Sequence, residues 1–239
     1  AEVSMEGLTI SGGSSSGISN SGTLSLTNST ISGNSADNGG GIINNGTGTL
    51  SLTDSTISGN SATSLGGGIS NSGTLSLTNS TISGNSASSG GGIRNSGTLS
   101  LTDSTISGNS ASSGGGIINF GTLSQTNSTI SGNSASSGGG ILNNGTLSQT
   151  NSTISGNSAA TIGGGIDNIG TLSHTNSTIS GNSATDRGGG IFNRFSANLS
   201  LTNSTISDNS ASNGGGIYNE GTLSLANSII ANDNGGDIR

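Results

Sequence analysis

The chain has no cysteine, no proline, no tryptophan and no lysine, and only 6% of its 239 residues are charged. Without cysteine there is neither a disulfide framework nor a thiolate metal site, and the redox compartment leaves no trace. Four arginines against a net charge of −7 argue against a basic patch for nucleic acid or an anionic membrane. No apolar run approaches the roughly 18 residues of a membrane-spanning helix, so membrane insertion is not expected. No signal peptide opens the sequence, and Ala1 is read as the start of a mature chain or of a fragment.

What the chain has in abundance is glycine, 46 residues of it, with serine, threonine and asparagine. Composition alone suggests a flexible linker, because little apolar surface is there to offset chain entropy. Periodicity overrules that reading. The stretch Gly97 to Phe120, G-T-L-S-L-T-D-S-T-I-S-G-N-S-A-S-S-G-G-G-I-I-N-F, recurs with small edits from about Ser21 onward. Copies starting at Gly73, Gly97, Gly121 and Gly145 follow one another every 24 residues, and single insertions stretch those starting at Gly48 and Gly145 to 25. A period in this range is the signature of stacked supersecondary units.

Within a copy, Thr49-Leu50-Ser51-Leu52-Thr53 alternates like a strand with one buried face, Leu50 and Leu52 inward and the hydroxyls outward. Asp54, usually Asn in other copies, supplies a turn. Ser55-Thr56-Ile57-Ser58 is a second strand, Gly59-Asn60 turns again, and a variable loop leads to Gly66-Gly67-Gly68-Ile69-Ser70-Asn71, a third side with Ile69 and Asn71 inward. One such coil is too poor in apolar residues to fold alone. Stacked at about 4.8 Å per coil, each strand gains parallel partners above and below. The expectation is therefore an all-β, right-handed parallel β-helix (solenoid) of about 24 residues and three short strands per coil, the hand following from the rule for parallel crossovers. Residues 1–21 read as a degenerate first coil and 22–239 as one solenoid domain. Inward Asn60, Asn85, Asn109, Asn133, Asn157, Asn182 and Asn209 should form an asparagine ladder, since a buried amide needs partners.

The pairing of I-x-x-N (Ile57 to Asn60, Ile82 to Asn85, Ile106 to Asn109) with G-G-G-I (Gly90 to Ile93, Gly114 to Ile117, Gly138 to Ile141) resembles the F-x-x-N and G-G-A-I repeats of polymorphic outer-membrane proteins. It is also similar to bacterial right-handed β-helix repeat proteins regarded as cell-surface proteins. The resemblance implies an extracellular or cell-surface location and an adhesin-like role, and no chemistry. The chain departs from the pattern in having Ile for Phe in the first motif and no recognisable barrel or anchor.

Carbohydrate-active enzymes also use this fold, and their sites cluster carboxylates with a base on one outward face. Here Asp54 and Asp103 share a column two coils apart, Asp37 and Asp186 fall in loops, and Asp167 and Glu220 lie near the third side. The single histidine, His174, occupies a column of inward Leu, directly after Gln125 and Gln149. These three are expected to point inward and bond one another. The N-S-T triplets at Asn28, Asn79, Asn127, Asn151, Asn176 and Asn203 match a glycosylation acceptor, but a repeat whose turn needs Asn before small polar residues produces them automatically.

Two outward features remain. Thr74/Ser76/Thr78, Thr98/Ser100/Thr102, Thr122/Ser124/Thr126 and Thr146/Ser148/Thr150 form the centre of a hydroxyl grid of about 7 Å by about 4.8 Å, similar to the threonine arrays of ice-binding solenoids. On the third side Ile118, Phe120, Leu142, Ile169, Phe192, Phe195 and Tyr218 are expected to project outward as a contact patch. The leading expectation is a non-catalytic extracellular or surface rod, an adhesin-like stalk or a self-stacking fibre subunit. An ice-binding protein is the alternative and a carbohydrate-active enzyme the third. No cofactor or metal is expected, and the partners expected are further copies, end to end or lateral, with surface glycans or ice as others.

Overall fold

A computed structural model describes residues 2–239. It is a parallel β-helix with no helical element among the described residues, and hence none long and apolar enough to cross a membrane. Ten strands, from Glu2–Glu6 to Thr222–Ala226, form the first face, and ten from Thr9–Ser11 to Ile229–Ala231 the second. Nine, from Ile18–Asn20 to Ile217–Asn219, form the third. Every pairing on these three faces is parallel and in register, Leu75 on Leu99, Ile82 on Ile106 and Ile93 on Ile117.

The core follows from this register. Leu50, Leu52, Ile57 and Ile69 are fully buried, as are the Leu and Ile at the same places in the coils above, the last coil excepted. Each such side chain contributes about 1.5–3 kcal/mol relative to exposure. The turn between the first and second faces is made by Asn28, Asp54, Asn79 and their successors at φ near 50°, the left-handed region that Asn and Asp tolerate. That backbone demand accounts for the N-S-T triplets.

The segment expected to be a variable loop is a fourth sheet. Seven strands, from Ser35–Asn38 to Ser183–Ala184, stack into a fin that leaves the body after the asparagine ladder and returns at the glycine triplet. The middle glycine makes the return possible, because a Cβ on Gly91 would collide with the carbonyl oxygens of Ser110 and Gly115. Main chain thus packs on main chain, and a small cluster of Ala159, Ala184 and Ala211 fills the fin apart from the main core.

The first coil contributes one strand that the sequence reading missed. In Glu2–Glu6, Val3 and Met5 continue the two Leu columns by pairing with Leu24 and Leu26. They are 40% and 43% exposed, and in the last coil Leu225 of the same columns is likewise open at 45%, whereas Ile229, over Thr205 on the outward side, is 61% exposed.

Candidate functional site: outward faces and buried polar chains

Three polar ladders run through the interior. In the first, the main-chain N and Nδ2 of Asn60 both donate to Oδ1 of Asn85, at 2.9 and 3.0 Å, and Nδ2 also donates to the Ile31 carbonyl at 3.0 Å. The same bonds repeat from Asn34 to Asn209, where Asp233 takes the next place. The second ladder links Asn20 to Asn219 through third-face amides, as in Asn71 Nδ2 to Asn95 Oδ1 at 2.7 Å. A third was not anticipated. The serine after each turn residue accepts, through Oγ, the main-chain N–H of the serine one coil earlier, as Ser80 N–H donates to Ser104 Oγ at 3.1 Å. Its signal was present in the N-S-T repeat, but a small hydroxyl beside a turn reads as solvent-facing.

The inward polar chain forms as expected. Gln125 Nε2 donates to the Ser128 carbonyl at 3.1 Å, Gln149 Nε2 to Gln125 Oε1 at 2.8 Å, and His174 Nδ1 lies 2.9 Å from Gln149 Oε1. An amide oxygen only accepts, so Nδ1 carries the hydrogen. Nε2 is then a buried acceptor with no partner. Burial holds the imidazole pKa down at about 4, with the Ser177 main chain opposing it weakly. A neutral, enclosed imidazole has no route to a substrate, and Asp54 and Asp103 stand exposed at surface turns.

On the first face the grid residues stand in straight columns. Thr74, Thr98, Thr122 and Thr146 are exposed, Ser124 and Ser148 exposed, Ser76 and Ser100 half-buried, and Thr78, Thr102, Thr126 and Thr150 half-buried.

The third face corrects the expected patch. Ile118, Leu142 and Phe192 leave the sheet on its outer side yet are buried, at 4%, 8% and 4% exposure. They lie in the angle between the third face and the fin, where the first glycine of each triplet makes room for them. A Cβ on Gly114 would strike Cβ of Ile118, and one on Gly138 that of Leu142. Ile169 and Tyr218 are half-buried, leaving Phe120 (43%) and Phe195 (81%) exposed.

Between these apolar residues sits an ionic cluster that residue counting overlooked. Asp167, fully buried in the same column between Leu142 and Phe192, accepts two bonds from Arg194, Nε to Oδ1 at 2.7 Å and Nη2 to Oδ2 at 2.6 Å. Burial raises the Asp167 pKa while the guanidinium pulls it back. On Arg194 the hydrogen bond to Asp167 prevails over burial and lifts an already high pKa. Each of three arginines lies over a ring: Arg94 over Phe120 at 5.3 Å, Arg187 over Tyr218 at 5.2 Å and Arg194 over Phe192 at 5.3 Å. Phe192 and Tyr218 meet edge to face, 5.5 Å apart. The available signal was that all the aromatics and two of the four arginines fall between Ile118 and Tyr218.

The model of the Chlamydia polymorphic membrane protein repeat matches three segments, residues 54–72, 176–194 and 203–220. Each begins at the left-handed turn residue and runs through the second face and the fin region to the end of the third face. No curated protein and no solved structure matches the chain. The chain is a parallel β-helix repeat protein whose repeats resemble those of the polymorphic membrane proteins.

Proposed function

We propose that the chain is a structural, non-catalytic rod at the cell surface, of the adhesin-like kind that the repeat resemblance suggests. The observation that carries this reading is the continuity of the three polar ladders, which tie each coil to the next over nearly the whole length. Such a chain spends its buried polar groups on axial rigidity. At about 4.8 Å per coil, the ten strands of the first and second faces make a rod of about 45 Å. The open Leu225 at one end, with Val3 and Met5 at the other, all in the inward Leu columns, suit the addition of further coils, from this polypeptide or from a second copy. Antibody labelling of intact source cells tests the location, and small-angle scattering with sedimentation over a concentration series tests rod and assembly. Labelling seen only after lysis would defeat the surface assignment. A monomer at all concentrations would defeat self-stacking.

One observation favours a second reading, binding to ice. Among the repeats the third-face outward column varies freely, through Ile43, Ser70, Arg94, Ile118, Leu142, Asp167, Phe192 and Tyr218, and even an inward column changes from Leu to Gln and His. Over the same coils Thr27 to Thr202 on the first face and Thr30 to Thr205 on the second do not change. Thermal hysteresis decides. It should be abolished by Thr126→Tyr in a folded variant, and its absence from the native chain would end this reading.

A further inference from the structure

The asparagine ladder changes chemistry at its last rung. Every Asn in it accepts with Oδ1 and donates with Nδ2, the latter partly to the isoleucine carbonyl of the preceding coil, as Asn209 does to Ile179 at 3.1 Å. Asp233 keeps the accepting half, since Oδ1 receives the Asn209 main-chain N–H at 2.7 Å and Asn209 Nδ2 at 3.0 Å. Its Oδ2 stands where the others hold Nδ2. The side-chain atom nearest Gly190 is Nδ2 of Asn209, and the one nearest Gly216 is Oδ2 of Asp233. That oxygen is buried and has no hydrogen-bond partner. In the other rungs Nδ2 in this place reaches an isoleucine carbonyl of the preceding coil, whereas a carboxylate oxygen has no hydrogen to donate, and the Asp237 carbonyl also lies close by.

We propose that Asp233 is a proton-operated rung that fastens the last coil to the rod. Protonated on Oδ2, it donates as an asparagine does and closes the ladder. Ionised, it sets a carboxylate against main-chain carbonyls and against its two acidic neighbours, Asp237 from the following loop and Asp208 from the coil below. No cation among the groups acting on it offsets them, and the third-face residue packed on it is Gly216. Desolvation is the largest influence and raises the carboxyl pKa, with the two acids adding to it and the bonds from Asn209 opposing. A raised value in the fold means that stability is present at acid pH and is lost as pH rises through it. Rising pH therefore loosens the segment from Ile229 onward, which covers the buried Ile206. If the surface-rod reading holds, this is the end on which another coil would stack, but the rung itself does not depend on that reading.

The test is hydrogen exchange of the Ile229 to Arg239 amides in the full chain and in Asp233→Asn, compared at matched pH. At neutral pH the asparagine variant should exchange at least tenfold more slowly, and the difference should close toward acid pH. Carbon NMR titration of Asp233 in the unaltered chain should give a midpoint above the ordinary carboxylate value. Equal exchange at every pH, or a midpoint at or below that value, overturns the proposal, while antibody labelling of the surface rod would be untouched by either result.

Discussion

Replacing His174 by leucine should remove an acid sensitivity built into the core. In the fold the imidazole is held neutral, with a pKa of about 4 caused chiefly by burial. In the unfolded chain it returns to about 6.5, so between those values the unfolded state binds one more proton than the native one. Native stability is then complete above about pH 6.5 and falls as pH drops toward 4. The shift of about 2.5 units corresponds to about 3 kcal/mol at full development and about 2.5 kcal/mol at pH 4.5. Leucine cannot titrate. It restores the column of Leu101 and Leu201 but strands Gln149 Oε1, whose lost donor costs about 1–3 kcal/mol at every pH. The assay is urea unfolding of both proteins at about pH 7.5 and pH 4.5. The unaltered chain should lose about 2.5 kcal/mol more than His174→Leu between the two conditions. Asp167 and Asp233, whose raised pKa values act in the opposite sense, are common to both proteins and cancel in the difference. Equal losses would refute the argument. The triple variant Gln125→Leu, Gln149→Leu, His174→Leu leaves no stranded amide and should exceed the native chain in stability at both pH values.

Asn109→Ala strips two donors of Asn85 of their acceptor, which should cost about 3 kcal/mol or more in the urea midpoint, far beyond an exposed Asn144→Ala control. Arg194→Ala leaves the Asp167 carboxylate buried and alone, an expected loss of about 3–5 kcal/mol, whereas Asp167→Leu with Arg194→Ser should recover most of it in thermal unfolding. Gly115→Ala drives a methyl into the carbonyls of Gly139 and Ser134, so that variant should fall by at least about 1–3 kcal/mol, while Gly59→Leu, at an open surface turn with positive φ, should show strain alone.

The sequence made inward positions legible because stacking turns each into a column. One Asn60 is ambiguous, but the same residue in successive coils at the same offset must face its own copies, and the ladder follows. The outer surface obeys no such rule. Ile118 was placed correctly on the outer side of its strand and still judged wrongly as exposed, because its cover comes from the fin, and the fin's A-S-S segments carry no alternation of apolar and polar residues. They form strands only because the body on either side fixes their spacing. Glu2–Glu6 was missed for a simpler reason. Val3 and Met5 do alternate, but neither matches the Leu of the repeat, and a strand at the edge of a stack is read by likeness to its neighbours. The Asp167 to Arg194 pair joins residues in adjacent coils through an insertion, so spacing along the chain gave no hint of it.

The ladders also answer a question that the apolar core leaves open, namely what fixes the stacking register. Thr-Leu-Ser-Leu-Thr is nearly unchanged by a slip of two residues, since Leu50 would then meet Leu77 and the hydroxyls would still face outward. A slip of one is forbidden because it turns the leucines to solvent, but a slip of two is not. The apolar residues of the first face therefore permit more than one register. The buried amides do not. Asn60 displaced from Asn85, or Ser55 from Ser80, leaves donors in a dry interior at about 1–3 kcal/mol each. Because the ladders occupy three separate corners of every coil, a slip on any face breaks at least one of them. Specificity thus rests on the polar residues and cohesion on the leucines and isoleucines. The straight columns of the first face, and with them any function that needs a regular surface, are a consequence of asparagines and serines that never reach it.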